Sequence, residues 1–175
     1  MAVALLSDFE KKIVRKIKEH FYDVVPPQFK TYCVLDSQIA CQVLKHFDVK
    51  ATLFPCQLRH YSDKGIYVVG FFEGKILSTQ WNGHVICKFK NWFLDPSLFT
   101  LSKQFQVEVP LVVKVRADDF DKQEFAHHNL SDGSVLKWFQ PPENFDSRIP
   151  EEPQEIVDRY AEDLIKMIEA DLFKQ

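Results

Sequence analysis

The sequence predicts a single α+β domain in which a mostly antiparallel sheet packs against helices. Two helical segments come first, a group of strand-like segments follows, and a helix closes the chain. Strands that are grouped, rather than alternating with helices, favour antiparallel pairing. The length of 175 residues fits one domain with a substantial core, and 16 phenylalanines indicate that this core is aromatic.

Both N-terminal helices are predicted from apolar residues at helical spacing. The first begins with a capping box formed by Ser7 and Glu10 and ends before Pro26. The second begins near Thr31, a possible N-cap, and carries Cys33 in its first turn. Its apolar face is formed by four side chains: Leu35, Ile39, Val43 and Phe47.

The rest of the chain divides into three segments after the N-terminal helix of residues 1–30. Residues 31–117 hold the cysteine-bearing helix and the strands, which are rich in β-branched and aromatic residues. Residues 118–152 are polar and rich in proline, aspartate and asparagine, and are interpreted as loop. Residues 153–175 form an amphipathic C-terminal helix with Pro153 in its first turn.

Composition excludes several classes of function. The net charge is −3 and the basic residues are dispersed, so we expect no nucleic-acid partner and no membrane. No apolar run approaches the roughly 20 residues of a membrane span. The four cysteines form no CxxC pair, which indicates reduced thiols in a cytoplasmic protein. Without a glycine-rich phosphate loop or metal-ligand spacing, we expect no cofactor and no metal.

The stretch GHVICKFKNWFLDPS, residues 83–97, predicts a hairpin that carries a histidine and an aspartate. If the turn is centred between Lys90 and Asn91, Asp95 lies opposite Ile86. Because strand side chains alternate, His84 and Asp95 then share a face as diagonal neighbours, with roughly 7–8 Å between their backbones. A carboxylate at that position fixes the imidazole tautomer and favours its charged form.

Cys33 is the candidate nucleophile for this pair. A thiol at a helix N-terminus meets the positive end of the helix dipole, and a nearby imidazolium favours the thiolate further. The backbone N–H of Cys33 could donate to a developing oxyanion. Each residue also has a structural alternative: Cys33 as a small buried hydrophobe, His84 as a hydrogen-bonding partner, and Asp95 as a turn cap.

At these positions the chain resembles transglutaminase-like and papain-like cysteine enzymes. The segment CVLDSQIACQVLKHFDVKATLF is similar to their nucleophile-bearing helix and following strand, and HVICKFKNWFLDPS to their His and Asp strand pair. The resemblance covers about residues 31–98 and matches uncharacterised bacterial-type members. It implies a papain/transglutaminase-like fold, with an antiparallel sheet packed against the helix that Cys33 begins, and a Cys33–His84–Asp95 triad.

Three further residues are weaker candidates. Papain-like enzymes place an oxyanion-hole glutamine upstream of the nucleophile, so the resemblance makes Gln28 a candidate donor. Trp81 and Asn82 directly precede the histidine segment and are candidates for the pocket wall, although a packed loop tryptophan is the simpler interpretation.

The resulting expectation is a thiol-dependent hydrolase or acyltransferase that acts on a peptide or small amide through a thioacyl intermediate on Cys33. The alternative is a binding or regulatory module that keeps the fold with a structural or vestigial triad. Acetyl transfer to arylamines would require a coenzyme A site, and the sequence has no basic cluster for its phosphates. The sequence does not define an oligomeric state.

Overall fold

The computed structural model describes residues 5–30, 32–71, 81–116, 119–145 and 148–174. Within them the chain forms an α+β fold with a mostly antiparallel, nearly closed sheet. The helices are α1 (Asp8–Val24), α2 (Cys33–His46), α3 (Phe99–Phe105) and α4 (Gln154–Phe173). The strands are β1 (Thr52–Ser62), β2 (Gly65–Val69), β3 (His84–Phe89), β4 (Trp92–Leu94), β5 (Val112–Lys114), β6 (Glu124–Asn129) and β7 (Val135–Phe139).

The helix starts follow the sequence signals. The predicted capping box is present at α1, where Ser7 Oγ accepts from Glu10 N at 3.2 Å and Glu10 Oε2 accepts from Ser7 N at 2.6 Å. Helix α2 begins with Cys33 itself and follows Tyr32 at the N-cap position. The candidate cap Thr31 lies outside the described residues.

The sheet has the strand order β5-β4-β3-β1-β7-β6, with β2 paired to β1 beyond the end of β3. Strand β1 contains Pro55, which has no N–H to donate. The first half of β1, which contains Pro55, pairs with β3, whereas pairing with β7 begins only at Gln57. Among the described strands, the stretch of β1 around Pro55 therefore pairs with a neighbour on one side only. A proline is tolerated there because it has no N–H to donate to a second neighbour.

Two apolar clusters fill the two sides of the sheet. Helices α1, α2 and α4 pack on one side around Ile17, Ile39 and Leu164. The other side is aromatic: Phe93 contacts Trp138 at 5.1 Å and Phe125 at 6.0 Å between ring centroids, in edge-to-face geometry. Strand β3 contributes to both clusters because its side chains alternate, with Ile86 on the aromatic side and Cys87 on the helical side.

The interpretation of residues 118–152 as loop was wrong, because β6 and β7 lie within them and form a hairpin. Strand β7 pairs with the central strand β1 and buries Leu136 and Trp138. The connection turns at Gly133, whose φ of 85° suits glycine. The polar composition that suggested a loop belongs to the turn and to the outward-facing positions of two short strands.

Candidate functional site

The β3–β4 hairpin has the register that the sequence predicts. Cys87 pairs with Leu94 and Lys88 with Phe93, so the turn is centred between Lys90 and Asn91. Asp95 follows the end of β4, where its backbone N–H donates to the carbonyl of Leu111 at 2.9 Å. The carboxylate is thereby fixed on the face of the hairpin that carries His84.

Asp95 and His84 form a buried pair, with 2.8 Å between Asp95 Oδ2 and His84 Nε2. The exposed fractions of the two residues are 0% and 1%. The same Oδ2 accepts from Trp138 Nε1 at 2.9 Å, and Oδ1 accepts from the Ser97 hydroxyl at 3.0 Å. Three donors from three parts of the chain therefore hold the carboxylate.

This geometry leaves the other imidazole nitrogen for Cys33. His84 Nδ1 is buried and has no hydrogen-bond partner among the described residues. Cys33 is half-buried, its Sγ lies 3.9 Å from the carbonyl oxygen of Gly83, and it lines the same cavity as His84. The structure therefore brings together all three residues of the predicted triad.

The charge state of His84 follows from its two partners. Burial disfavours the charged ring and lowers its pKa, but the Asp95 charge and hydrogen bond, helped by Cys33, outweigh burial. The pKa of His84 is raised from 6.5 to about 10. At neutral pH the ring is therefore an imidazolium, and it lines the same cavity as Cys33.

The cavity has a volume of about 260 Å³ and is lined mainly by apolar groups. Besides Cys33 and His84, its described lining residues are Leu58, Tyr67, Val69, Gly83, Ser97, Leu98, Thr100 and Leu101. None of these eight residues carries a charge. The cavity therefore suits an uncharged, apolar group next to the sulfur.

Two glycines permit the close packing behind His84. A Cβ at Gly83 would lie 2.1 Å from the Trp81 indole, and one at Gly70 would lie 2.4 Å from the backbone nitrogen of His84. Gly70 also has a φ of 75°. A side chain at either position would therefore displace the segment that carries the imidazole.

The weaker candidates lie as follows. Trp81 packs on Phe71 with 5.6 Å between ring centroids, and the Asn82 carbonyl accepts from the Phe71 N–H at 2.8 Å. Both residues support the segment before His84 and are not among the described residues that line the cavity. Gln28 is exposed and is not among the described residues that line the cavity, so its role as an oxyanion donor stays a prediction. The turn after Pro26 carries it along the surface.

Three residues of the site were missed. Trp138 was not predicted because its strand was interpreted as loop. Tyr22, on α1, donates its hydroxyl to the Pro96 carbonyl at 2.5 Å and so connects α1 to the Asp95 segment. Asp36, one turn after Cys33, is fully buried, and neither of its carboxyl oxygens has a hydrogen-bond partner among the described residues. Its position in an amphipathic helix gives no sequence signal for burial.

A separate carboxylate cluster links α1 to α4. Glu19, His20 and Asp171 bring their ligand atoms within 4.8 Å of one another. Lys16 Nζ lies 2.6 Å from Glu19 and 3.0 Å from Asp171, so an ammonium already compensates these charges. This cluster is a surface ion-pair network.

Comparisons with known proteins identify no family. No family model matches the chain, and no curated protein matches it. One solved structure, described by its title only as a crystal structure from genomics, matches with a TM-score of 0.35 and 14% identity. The match covers 61% of this chain and 52% of that chain, about half of its length. Among the described residues, no helix combines the length and the apolar character needed to cross a membrane.

Proposed function

We propose that the protein is a thiol-dependent hydrolase or acyltransferase that cleaves an amide bond through a thioacyl intermediate on Cys33. The supporting observation is the arrangement around His84, whose Nε2 is held by Asp95 at 2.8 Å while its Nδ1 remains unpaired beside Cys33. We also propose that the fold is of the papain/transglutaminase type and that the protein acts in the cytoplasm, where its four free thiols would stay reduced.

The chemical roles follow from charge and position. The Cys33 thiolate attacks the substrate carbonyl carbon, and a tetrahedral oxyanion forms. The His84 imidazolium then donates its proton to the departing amine as the C–N bond breaks. In the second half of the reaction neutral His84 takes a proton from water, or from an acceptor amine, which attacks the thioester. Asp95 keeps the ring oriented throughout and stabilises its charged form.

The N-terminus of α2 supplies the donor for the oxyanion. The N–H of Asp36 donates to the Tyr32 carbonyl at 2.9 Å and forms the first hydrogen bond of the helix. The N–H groups of the three preceding residues therefore have no partner within the helix. The N–H of Cys33 lies at the nucleophile itself and takes the role that was considered for Gln28.

The cavity lining restricts the substrate class. Leu58, Val69, Leu98 and Leu101 contribute apolar surface next to Cys33 and His84. An acyl group or side chain with a charge would lose its hydration there, and the described lining offers it no counter-ion beyond the His84 imidazolium, which is already paired with Asp95. The preferred substrate is therefore a peptide or small amide with an uncharged apolar group beside the scissile carbonyl.

The decisive experiment measures the alkylation rate of each cysteine in the native protein between pH 5 and 10 by peptide mass spectrometry. Three probes are compared: iodoacetamide, N-benzyl iodoacetamide and iodoacetate, each normalised to its rate with glutathione. Cys33 should react with iodoacetamide at pH 6 at least tenfold faster than any other cysteine. His84→Ala should remove that advantage.

His60→Ala is the matched control, because His60 is a second buried histidine of the sheet, 2% exposed, that does not line the cavity. This variant should keep the fast labelling of Cys33. Equal rates at Cys33 and Cys56 in the native protein would refute the catalytic function and favour the binding module. Fast iodoacetamide labelling with no preference for the benzyl probe over iodoacetate would instead refute only the apolar substrate class.

A further inference from the structure

A second pair of thiols lies between the same two elements that carry Cys33 and His84. The Sγ atoms of Cys41 on α2 and Cys87 on β3 are 2.9 Å apart. A disulfide has an S–S length of about 2.0 Å, so an approach of about 0.9 Å would bring the two sulfurs to bonding distance. No sequence pattern indicates this pair, because the two cysteines belong to different elements and form no CxxC spacing.

The two thiols differ in their access to solvent. Cys41 is half-buried and lines an open groove of about 740 Å³ between α2 and α4. Cys87 lies behind it with an exposed fraction of 0%, and burial, together with Cys41, raises the pKa of its thiol. A small reagent in the groove therefore reaches Cys41 first, and Cys87 can react only with a group already attached to Cys41.

We propose that Cys41 and Cys87 are a reversible oxidation site at which a peroxide forms a disulfide that fastens α2 to β3. The Cys41 sulfur attacks one peroxide oxygen, the O–O bond breaks, and a sulfenic acid and one water are produced. The Cys87 sulfur then attacks the Cys41 sulfur, the S–O bond breaks, and a second water leaves. Two thiols lose two electrons and two hydrogens, which reduce one hydrogen peroxide to two waters.

The disulfide would link α2 to β3 because its two cysteines lie on these two elements. Helix α2 begins at Cys33 and strand β3 begins at His84, so a bond between Cys41 and Cys87 joins the two elements that hold the nucleophile and its histidine. Ser37 already contacts β3 between these points, since its hydroxyl donates to the Val85 carbonyl at 3.0 Å. The oxidation site does not depend on the proposed catalytic function, because it requires only these two elements and an oxidant.

The test treats the full chain, with Cys33→Ser to remove the competing thiol, with hydrogen peroxide at increasing concentrations. Free thiols are then blocked, and the peptides are analysed by mass spectrometry without reduction. The expected product is a linked peptide pair containing Cys41 and Cys87 that a phosphine reductant separates. Its formation should raise Tm by roughly 5–15 °C, since a crosslink over a long loop restricts the unfolded chain.

Cys41→Ser should abolish both the linked peptide and the Tm shift. Cys87→Ala, which removes the other cysteine of the pair, should abolish both as well. Cys56→Ala, which removes a buried thiol outside the pair, should leave both intact. Oxidation of Cys41 to sulfinic acid with Cys87 still reduced would overturn the assignment. A different cysteine pairing, or an unchanged Tm after complete linkage, would overturn it as well.

Discussion

Asp95 and Asp36 are two buried aspartates that differ in the hydrogen-bond donors around their carboxyl groups. Both have an exposed fraction of 0%. Asp95 accepts from the imidazole of His84, the indole of Trp138 and the hydroxyl of Ser97. Neither carboxyl oxygen of Asp36 has a hydrogen-bond partner within the described part of the chain.

The difference shows that donors, rather than burial alone, decide whether an internal carboxyl can carry charge. Burial raises the pKa of Asp36 well above 3.8, and the charges of Cys33 and Asp95 raise it further. Asp36 therefore remains a neutral acid one turn after Cys33. Asp95 has the donors that a buried carboxylate needs, and it can orient and charge His84.

The largest expected effect is that of Asp95→Ala on folding stability. The substitution leaves a buried imidazole and a buried indole N–H without their acceptor, so the free energy of unfolding should fall by about 3–5 kcal/mol. Urea denaturation of both proteins measures the change. Asp36→Ala is the matched control and should have a much smaller effect, because no described donor depends on its carboxyl group. Equal losses of unfolding free energy in the two variants would show that the donors around Asp95 do not make it more important for stability than Asp36.

Trp138→Phe should have the next largest effect, because it removes one donor to Asp95 and retains an aromatic ring. A hydrogen bond to a charged acceptor contributes about 1.5–3 kcal/mol, so the free energy of unfolding should fall by about that amount. Trp92→Phe, at a half-buried tryptophan on β4, serves as the comparison in the same urea titration. Equal losses of unfolding free energy in the two variants would show that the hydrogen bond from the Trp138 indole to Asp95 is not stabilising, and that the loss comes from the smaller ring.

Asp36→Asn should change the pH dependence of stability. A carboxyl whose pKa is raised in the folded state stabilises the fold fully below its unfolded pKa, and this contribution is lost as pH rises through the folded pKa. The asparagine variant lacks that loss, so its free energy of unfolding should rise relative to the wild type by up to about 1.4 kcal/mol per pH unit between the unfolded and the folded pKa of Asp36. Urea titrations from pH 4 to pH 9 measure the difference. A constant difference across this range would show that folding does not raise the pKa of Asp36.

Tyr22→Phe should give the smallest effect, a loss of about 1 kcal/mol in the free energy of unfolding. The variant removes the 2.5 Å hydrogen bond from the Tyr22 hydroxyl to the Pro96 carbonyl. Burial, followed by the charge of Asp95, raises the pKa of Tyr22, so its hydroxyl stays a donor. Tyr32→Phe, at an exposed tyrosine, should be neutral in the same Tm and urea measurements. Identical results for the two variants would show that the link from α1 to the Asp95 segment is not stabilising.

The parts of the site that follow local rules could be predicted from the sequence. A short turn fixes the register of a hairpin, so the relation between His84 and Asp95 was available from residues 83–97. The change from polar to helical periodicity located the start of α2 within a residue or two of Cys33. Both inferences need only neighbours along the chain.

The parts that depend on distant contacts could not be predicted. Trp138 is 43 residues from Asp95, and its five-residue strand lies within a segment rich in proline, aspartate and asparagine, which hid it. A carboxyl such as Asp36, in the second turn of a helix, usually faces solvent, and its burial follows only from packing against other elements. Gln28 was a candidate only through the resemblance, and its position upstream of Cys33 does not define the path of the intervening turn.

The chain separation of the site residues also has a kinetic consequence. The contact between Cys33 and Gly83 spans 50 residues, and the bond from Trp138 to Asp95 spans 43. Closing such loops costs entropy that local helices and hairpins do not incur, so these contacts form late when the chain folds. The β3–β4 hairpin can bring His84 and Asp95 together early, whereas Cys33 and the Trp138 indole reach their positions only when α2 and β7 dock. A newly made chain would thus form its histidine–aspartate pair before Cys33 joins it.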